Sequence, residues 1–192
     1  MKKEKPIYLW KSLQKGTISN HNNFKWCINK WYKINGKLEM CINGFHASEM
    51  IVDAMKYCEL EVLAKVEVRS CHLKQDDKQC WEEMRIVKKW KWTKEDSVRL
   101  AIYAANLTLK NFEIKNPDDK RPRLAIYAAK NYLKAKNKAA DSARSAAYSA
   151  ADSAAYSAAG SADLAAYSAA AHTKIRQQCQ AWIIRHLKGK AQ

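Results

Sequence analysis

The stretches LEVLAKVEV (residues 60–68) and MRIVKKWKW (residues 84–92) decide the architecture of the first half of this chain. In the first stretch every second residue from Leu60 to Val68 is apolar, which predicts a half-buried β-strand. In the second stretch Ile86, Trp90 and Trp92 share one parity, although the alternation is less regular. Shorter β-prone segments precede them at residues 7–13, 24–28, 31–34 and 38–42. The sequence therefore predicts a β-rich domain over residues 1–92.

Two local signals refine this domain. Asn35-Gly36 separates WYKI from KLEMCI and predicts a hairpin, because both turn residues tolerate a positive φ angle. Residues 49–57 (EMIVDAMKY) have helical spacing, with Ser48 as the expected N-cap. The domain is thus expected to hold several strands and one short helix.

The pattern changes at Trp92, and the rest of the chain is typical of helices. Thr93 resembles the N-cap of a helix that runs to about residue 114, Asn116-Pro117 ends it, and a second helix follows Asp119. Residues 139–172 are rich in Ala and Ser. Asp141, Asp152 and Asp163 recur every 11 positions, and Tyr156 and Tyr167 are also 11 apart, the period of a nearly straight helix. A last helix over residues 174–187 is expected to end at Gly189.

These observations predict an α+β fold. A small β-rich domain (residues 1–92) is expected to pack on an antiparallel α-helical domain (residues 93–192) that contains long Ala/Ser-rich helices. Internal repetition supports the helical half, because LAIYAA at residues 100–105 recurs at residues 124–129 and, loosely, as LAAYSA at residues 164–169. Helices with similar Ala-rich faces can pack closely.

The charge of the chain points to acidic partners. It holds 35 Lys and Arg against 19 Asp and Glu, a formal net charge of +16. Nucleic acid, an acidic protein surface or a phosphorylated small molecule would each suit this charge; a surface simply filled with Lys is the alternative. The sequence has neither a long apolar run nor an apolar segment of the secretory type, so we expect a cytoplasmic protein of a bacterial or phage-infected cell and no membrane partner. The six cysteines fit no disulfide framework and are expected to be buried free thiols.

The segment CINGFHAS (residues 41–48) holds the sharpest cluster of reactive side chains. Cys41 and His46, with Cys58, Cys71 and His72, match no standard zinc spacing, so neither a metal nor another cofactor is predicted. We interpret the segment as structural: Gly44 makes a tight turn, Phe45 anchors the core and His46 forms a local hydrogen bond. The alternative, an enzyme that uses His46 with a cysteine, would need the two side chains together in a pocket.

Seven other residues are candidate binding contacts. The two tryptophans near residue 90 could stack on bases or belong to the core, the two arginines of the interhelical loop could pair with its Asp residues or bind a phosphate, and the tyrosines of the Ala-rich stretch could contact a ligand or fill space. These residues are Trp90, Trp92, Arg121, Arg123, Tyr148, Tyr156 and Tyr167.

Two resemblances carry the functional expectation. NPDDKRPRLAIYAA (residues 116–129) with the Ala-rich segment that follows resembles helical immunity proteins of bacterial polymorphic-toxin systems. Tyr8, Trp10, Phe24 and Trp26 together with CINGFHAS resemble a small uncharacterised domain of phage and bacterial proteins that has a Cys-x-x-Gly-Phe-His-Ala core.

The resemblances imply a non-enzymatic binding protein that neutralises a toxin or defence effector, as an immunity protein or as a phage-encoded inhibitor of the anti-CRISPR type. Its partner would be that effector, including a nucleic-acid-bearing complex, and the chain could also associate with a second copy of itself. The alternative from the charge is a nucleic-acid- or nucleotide-binding protein, including a sponge for a nucleotide signal.

Overall fold

A computed structural model of the chain describes residues 5–58, 60–134 and 169–190. Its contacts divide the chain into two compact units, one comprising the residues up to Thr93 together with those from His186 onward, the other Lys94–Arg185. The described strands are β1 (Ile7–Leu13), β2 (Tyr32–Lys33), β3 (Phe45–Ala47), β4 (Val62–Lys74) and β5 (Gln79–Lys91). The described helices are α1 (Ile51–Ala54), α2 (Lys94–Lys115), α3 (Arg121–Lys134) and α4 (Ala169–Gly189). The α+β class predicted from the sequence is thereby confirmed.

Two long antiparallel strands form the centre of the first unit. β4 and β5 are each 13 residues long, and the sheet order is β1-β4-β5-β2, with β3 also paired to β5. Directly after β3, Ser48 exchanges two backbone hydrogen bonds of 2.8 Å with Trp10 of β1. The sheet is therefore linked from β5 through β3 back to β1.

The core of this unit lies on one face of the paired strands, as the alternation predicted. Ala64 and Val66 of β4 and Ile86 of β5 are fully buried, and Leu9 is 3% exposed. Each such aliphatic side chain contributes about 1.5–3 kcal/mol when it leaves water, Ala less. The register pairs Lys11 with Ala64, so a lysine occupies the same face of β1 as the apolar core residues.

Two local predictions for this unit are wrong. The residues after Asn35-Gly36 do not form the second arm of a hairpin, because the Asn43 side chain holds them in a turn by donating to the carbonyls of Asn35 (2.8 Å) and Lys37 (2.9 Å). β2 pairs with β5 instead. The helix expected over residues 49–57 shortens to α1, and its N-cap is Met50 rather than Ser48, whose backbone is engaged with β1.

α2 and α3 begin and end close to the predicted positions, whereas α4 begins at Ala169, before its predicted start at residue 174. α2 and α3 pack through Val98 and Ala129, with Ile102, Tyr132 and Leu133 around them. Val98 lies early in α2 and Ala129 late in α3, so the two helices run antiparallel. None of the helices in the described ranges is both long and apolar enough to cross a bilayer. Most of the Ala/Ser-rich stretch, and with it the prediction of long Ala/Ser-rich helices, lies outside the described residues.

Candidate ligand-binding site

A cavity of about 450 Å³ lies in the first unit beside β1 and β3. Its walls come from β1, residues 19–22, Phe24, Trp26, residues 33–34, residues 41–48, the chain between the end of α1 and Cys58, and Lys78 in the β4–β5 turn. The CINGFHAS segment thus forms one side of it. Cavities of this size are typical of sites for small ligands.

The cavity is lined by cationic side chains and by no acidic one. Lys11, Lys33 and Lys78 line it together with His21 and His46, and neither Asp nor Glu is among its lining residues. Lys33 lies 3.8 Å from a carboxylate oxygen of Glu83. Among the described residues, Lys11 and Lys78 have no carboxylate within ion-pair distance. Within the described ranges, Lys11 and Lys78 therefore lack a carboxylate in direct contact, whereas Lys33 has one.

Lys11 is the most unusual of these groups. Its Nζ donates a 2.8 Å hydrogen bond to the backbone carbonyl of His46 and lies 5.6 Å from the centre of the Trp26 ring. Burial lowers the pKa of Lys11 to about 8, because the charged form loses its hydration. The amine is consequently partly neutral near physiological pH.

His46 is held as a neutral hydrogen-bond acceptor. Its Nε2 accepts a 3.1 Å hydrogen bond from the backbone N–H of Cys41, which requires that Nε2 carries no proton. Burial, with the nearby charges of Lys11, Lys78 and His21, lowers the pKa of His46 to about 4. The expected local hydrogen bond of His46 is present, and it ties β3 to the loop before it.

Gly44 allows the chain to pass closely over β5. Its φ angle is +156°, and a Cβ atom at this position would lie 2.1 Å from Cys80 Sγ and 2.8 Å from a methyl group of Leu38. Any side chain would therefore displace the loop that carries Cys41. The next residue, Phe45, packs against the core cluster as expected.

Thiol and phenol groups complete the polar side of the cavity. Lys78 Nζ lies 3.2 Å from Cys41 Sγ and 5.0 Å from the centre of the Tyr57 ring. Burial raises the pKa of Tyr57, and its hydrogen bond to Asp77 raises it further. Tyr57 thus remains a neutral phenol.

Aromatic rings form the apolar side of the cavity. Phe24, Trp26 and Phe45 line it, and their ring centres lie 4.9 to 5.8 Å apart. Tilted and edge-on pairs at such distances are favourable by about 0.5–1.5 kcal/mol each beyond their burial. The apolar wall is therefore preformed.

The cysteines differ from the prediction of buried thiols. Cys80 and Cys179 are buried, but Cys27, Cys41 and Cys71 are exposed. Burial raises the pKa of both buried thiols, so they remain protonated. In the described part of the chain, no cluster of His, Cys, Asp and Glu is arranged to hold a metal ion.

The predicted tryptophan contacts have different environments. Trp92 is 2% exposed, with its ring 6.1 Å from that of His186, so it is a packing residue and its position gives no support to a contact role. Trp90 is half-buried, 5.8 Å from the ring of Trp10, and Lys88 lies over it at 5.2 Å. Neither tryptophan lines the cavity.

The predicted arginine contacts lie in the second unit and are engaged in ion pairs. Arg121 binds Asp119 at 2.7 Å, as the structural alternative for this loop expected. Arg123 binds Glu113 of α2 at 2.6 Å instead of an aspartate of the loop. The three predicted tyrosines, Tyr148, Tyr156 and Tyr167, lie outside the described residues.

Sequence reasoning missed Lys11 and Lys78. One signal was available for Lys11: it stands between Leu9 and Leu13 at the spacing of a core-facing strand position. Lys78 offers no such signal, because it lies in a polar turn, and the pairing of β3 with β5 brings the Cys41 loop close to it.

The comparisons add a family match over the same region. Residues 7–96 match the family model of a domain of unknown function (DUF7666), and this range includes every residue that lines the cavity. Neither the curated proteins nor the solved structures compared with the chain give a match.

Proposed function

We propose that the first unit binds a small anionic ligand with a flat apolar part, of the nucleotide class, in this cavity. The observation that carries the proposal is the lining: three lysines, Lys11, Lys33 and Lys78, and no carboxylate of the described residues. The binding is non-catalytic, which suits a protein that sequesters a nucleotide signal.

The electrostatic argument rests on the unpaired lysines. A cation that has left water without a partner is destabilising, and a bound anion would supply the missing counter-charge. At 4 Å, opposite unit charges attract by about 4 kcal/mol at the effective dielectric of a protein surface site. Phosphate oxygens can also accept from the side-chain amides of Asn20 and Asn22, which line the same cavity.

The aromatic wall supports a ligand with a ring. Phe24, Trp26 and Phe45 would contact a flat base, while the lysines would bind its phosphate. Aromatic walls with a few polar groups are typical of small-molecule sites. A nucleotide would contact both the aromatic rings and the lysines, whereas inorganic phosphate would contact the lysines alone.

The test is thermal stabilisation and calorimetric titration of the full chain with mononucleotides, cyclic nucleotides and the matching nucleosides. We expect phosphate-bearing ligands to raise the melting temperature and nucleosides to leave it unchanged. Lys78→Gln should abolish the shift, whereas Lys25→Gln, at an exposed position outside the cavity, should preserve it. Equal shifts with both variants, or none with any phosphate-bearing ligand, would contradict the proposal. Steep salt dependence equivalent to several released ions would indicate a polyanion instead.

A different observation supports neutralisation of a protein effector by the second unit. Leu124 and Tyr127, in the stretch that resembles immunity proteins, are both 63% exposed on α3. Three positions apart, they are neighbours on the helix surface, where a partner could cover both side chains. We therefore propose an acidic effector as the partner of this surface, since the chain carries a net charge of +16.

The test for this second proposal is a nuclease-treated pulldown from the native host. Leu124→Ser combined with Tyr127→Ser should release a stoichiometric protein partner, and Asn131→Ser, also exposed on α3, should retain it. Recovery of nucleic acid alone, or an unchanged partner with the double variant, would contradict this assignment.

A further inference from the structure

The amine of Lys11 occupies a position that a purely electrostatic role does not require. Lys11 lies on the core-facing side of β1, between Leu9 and Leu13, and its Nζ is fixed by the His46 carbonyl at 2.8 Å. The Trp26 ring lies 5.6 Å away. Exposed lysines at the rim would attract an anion without the cost of burying an amine among apolar residues.

We propose that Lys11 forms an imine with an anionic, carbonyl-bearing ligand bound in this cavity. The inference rests on the proposed function, because the anionic group must first be held there by Lys78 and the neighbouring donors. The chemical class is a phosphorylated or carboxylated aldehyde or ketone with a flat apolar part that fits against Phe24 and Trp26.

The reaction balances without an oxidant or reductant. The neutral amine nitrogen of Lys11 attacks the carbonyl carbon and forms a carbinolamine, in which a C–N bond has replaced the second C–O bond. The former carbonyl oxygen then leaves as water, which carries away the two hydrogens of the original amine, and a C=N double bond forms. A proton taken up by the nitrogen converts the product to an iminium ion.

The buried environment favours this chemistry. Since burial lowers the pKa of Lys11 to about 8, roughly a tenth of the amine is neutral at pH 7, whereas an ordinary lysine is neutral to only about 0.03%. A less basic nucleophile is intrinsically weaker, as thiolates show, and this offsets part of the roughly 300-fold difference. We expect Lys11 to react about 10-fold or more faster than any exposed lysine.

The experiment uses pyridoxal 5′-phosphate as the probe, because it is an anionic aromatic aldehyde. The full chain is treated with less than one equivalent at pH 7, the C=N bond is reduced with cyanoborohydride, and the labelled peptides are quantified by mass spectrometry. The expected result is that at least about ten times more label is found on Lys11 than on any other lysine. The Lys11→Met variant should lose the imine absorbance, and the Lys25→Met variant should retain it.

Pyridoxine 5′-phosphate, which has an alcohol in place of the aldehyde, separates the two proposals. If this analogue stabilises the protein and competes with labelling of Lys11, both proposals are supported. If it stabilises the protein while the aldehyde label is spread over exposed lysines, the imine is overturned and the anion site stands. If neither compound binds and Lys11 is not preferentially labelled, the imine is overturned along with this class of ligand.

Discussion

Replacing Lys11 with Met should make the protein more stable while abolishing its ligand binding. Met has a similar length without a charge and fills irregular apolar space well. A shift of the Lys11 pKa from 10.5 to about 8 corresponds to a ceiling of about 3.4 kcal/mol for holding the ammonium in the folded state at pH 7. Loss of the hydrogen bond to the His46 carbonyl destabilises the variant by about 1–3 kcal/mol. We therefore expect a net stabilisation on the order of 1 kcal/mol.

The stability advantage of Lys11→Met is expected to depend on pH. Between pH 8 and 10.5 the unfolded chain binds more protons at Lys11 than the folded chain, so the free energy of unfolding of the wild type rises with pH across this window. Lys11→Met lacks this contribution, and its advantage should disappear above about pH 10. Urea unfolding at pH 7, 9 and 10.5 measures both effects, with Lys25→Met as the exposed control. A variant less stable than the wild type at pH 7, or an advantage independent of pH, would refute the reasoning.

Three further outcomes can be checked on the same unit. His46, whose pKa falls to about 4, should make stability decrease as the pH drops from 6.5 to 4, because the unfolded chain takes up the proton first; His46→Gln should flatten this part of a urea-midpoint profile. Gly44→Ala should cost about 2 kcal/mol or more in unfolding free energy, since its Cβ would lie 2.1 Å from Cys80 Sγ, while Gly189→Ala, with no atom within 4 Å, should cost far less. Iodoacetamide should alkylate the exposed Cys41 in the native protein and spare the buried Cys80; equal labelling by mass spectrometry would show that this packing is wrong.

The elements that local pattern could predict are those whose own residues supply the signal. β1 begins and ends where the apolar run at residues 7–13 placed it, and α2 ends just before Asn116-Pro117. The prediction of a hairpin at Asn35-Gly36 was wrong because the local pattern does not show that β5 is the pairing partner of β2. The Asn43 side chain binds the carbonyl of Asn35 in the expected turn and that of Lys37 in the expected second arm. Tyr32 pairs instead with Met84, far along the chain.

The candidate site could be predicted only in part, for the same reason. The CINGFHAS segment predicted a tight local structure. Its glycine passes close to Cys80, and its histidine accepts a local hydrogen bond from Cys41. The cavity, however, combines residues from position 10 to position 78, and long-range pairing of β3 with β5 and of Ser48 with β1 helps to bring them together. Sequence composition indicated an anionic partner, but it could not separate the lysines of a pocket from those of an ordinary surface.

Ion pairing distinguishes the lysines of the cavity from basic residues of the ordinary surface. On the strands of the same unit, Arg69 lies 2.7 Å from Glu83 and Arg85 lies 2.7 Å from Glu67, so these cations are already neutralised within the sheet. Exposed pairs of this kind contribute little to stability, and an incoming anion would have to compete with a carboxylate already in place. Lys11 has no such competitor among the described residues, and its charge is held out of water. An anion therefore gains more at the cavity than at the sheet, even though both carry basic side chains. In the proposed function, the net charge of +16 would attract an acidic ligand to the protein, and the absence of carboxylates from the cavity lining would favour binding there.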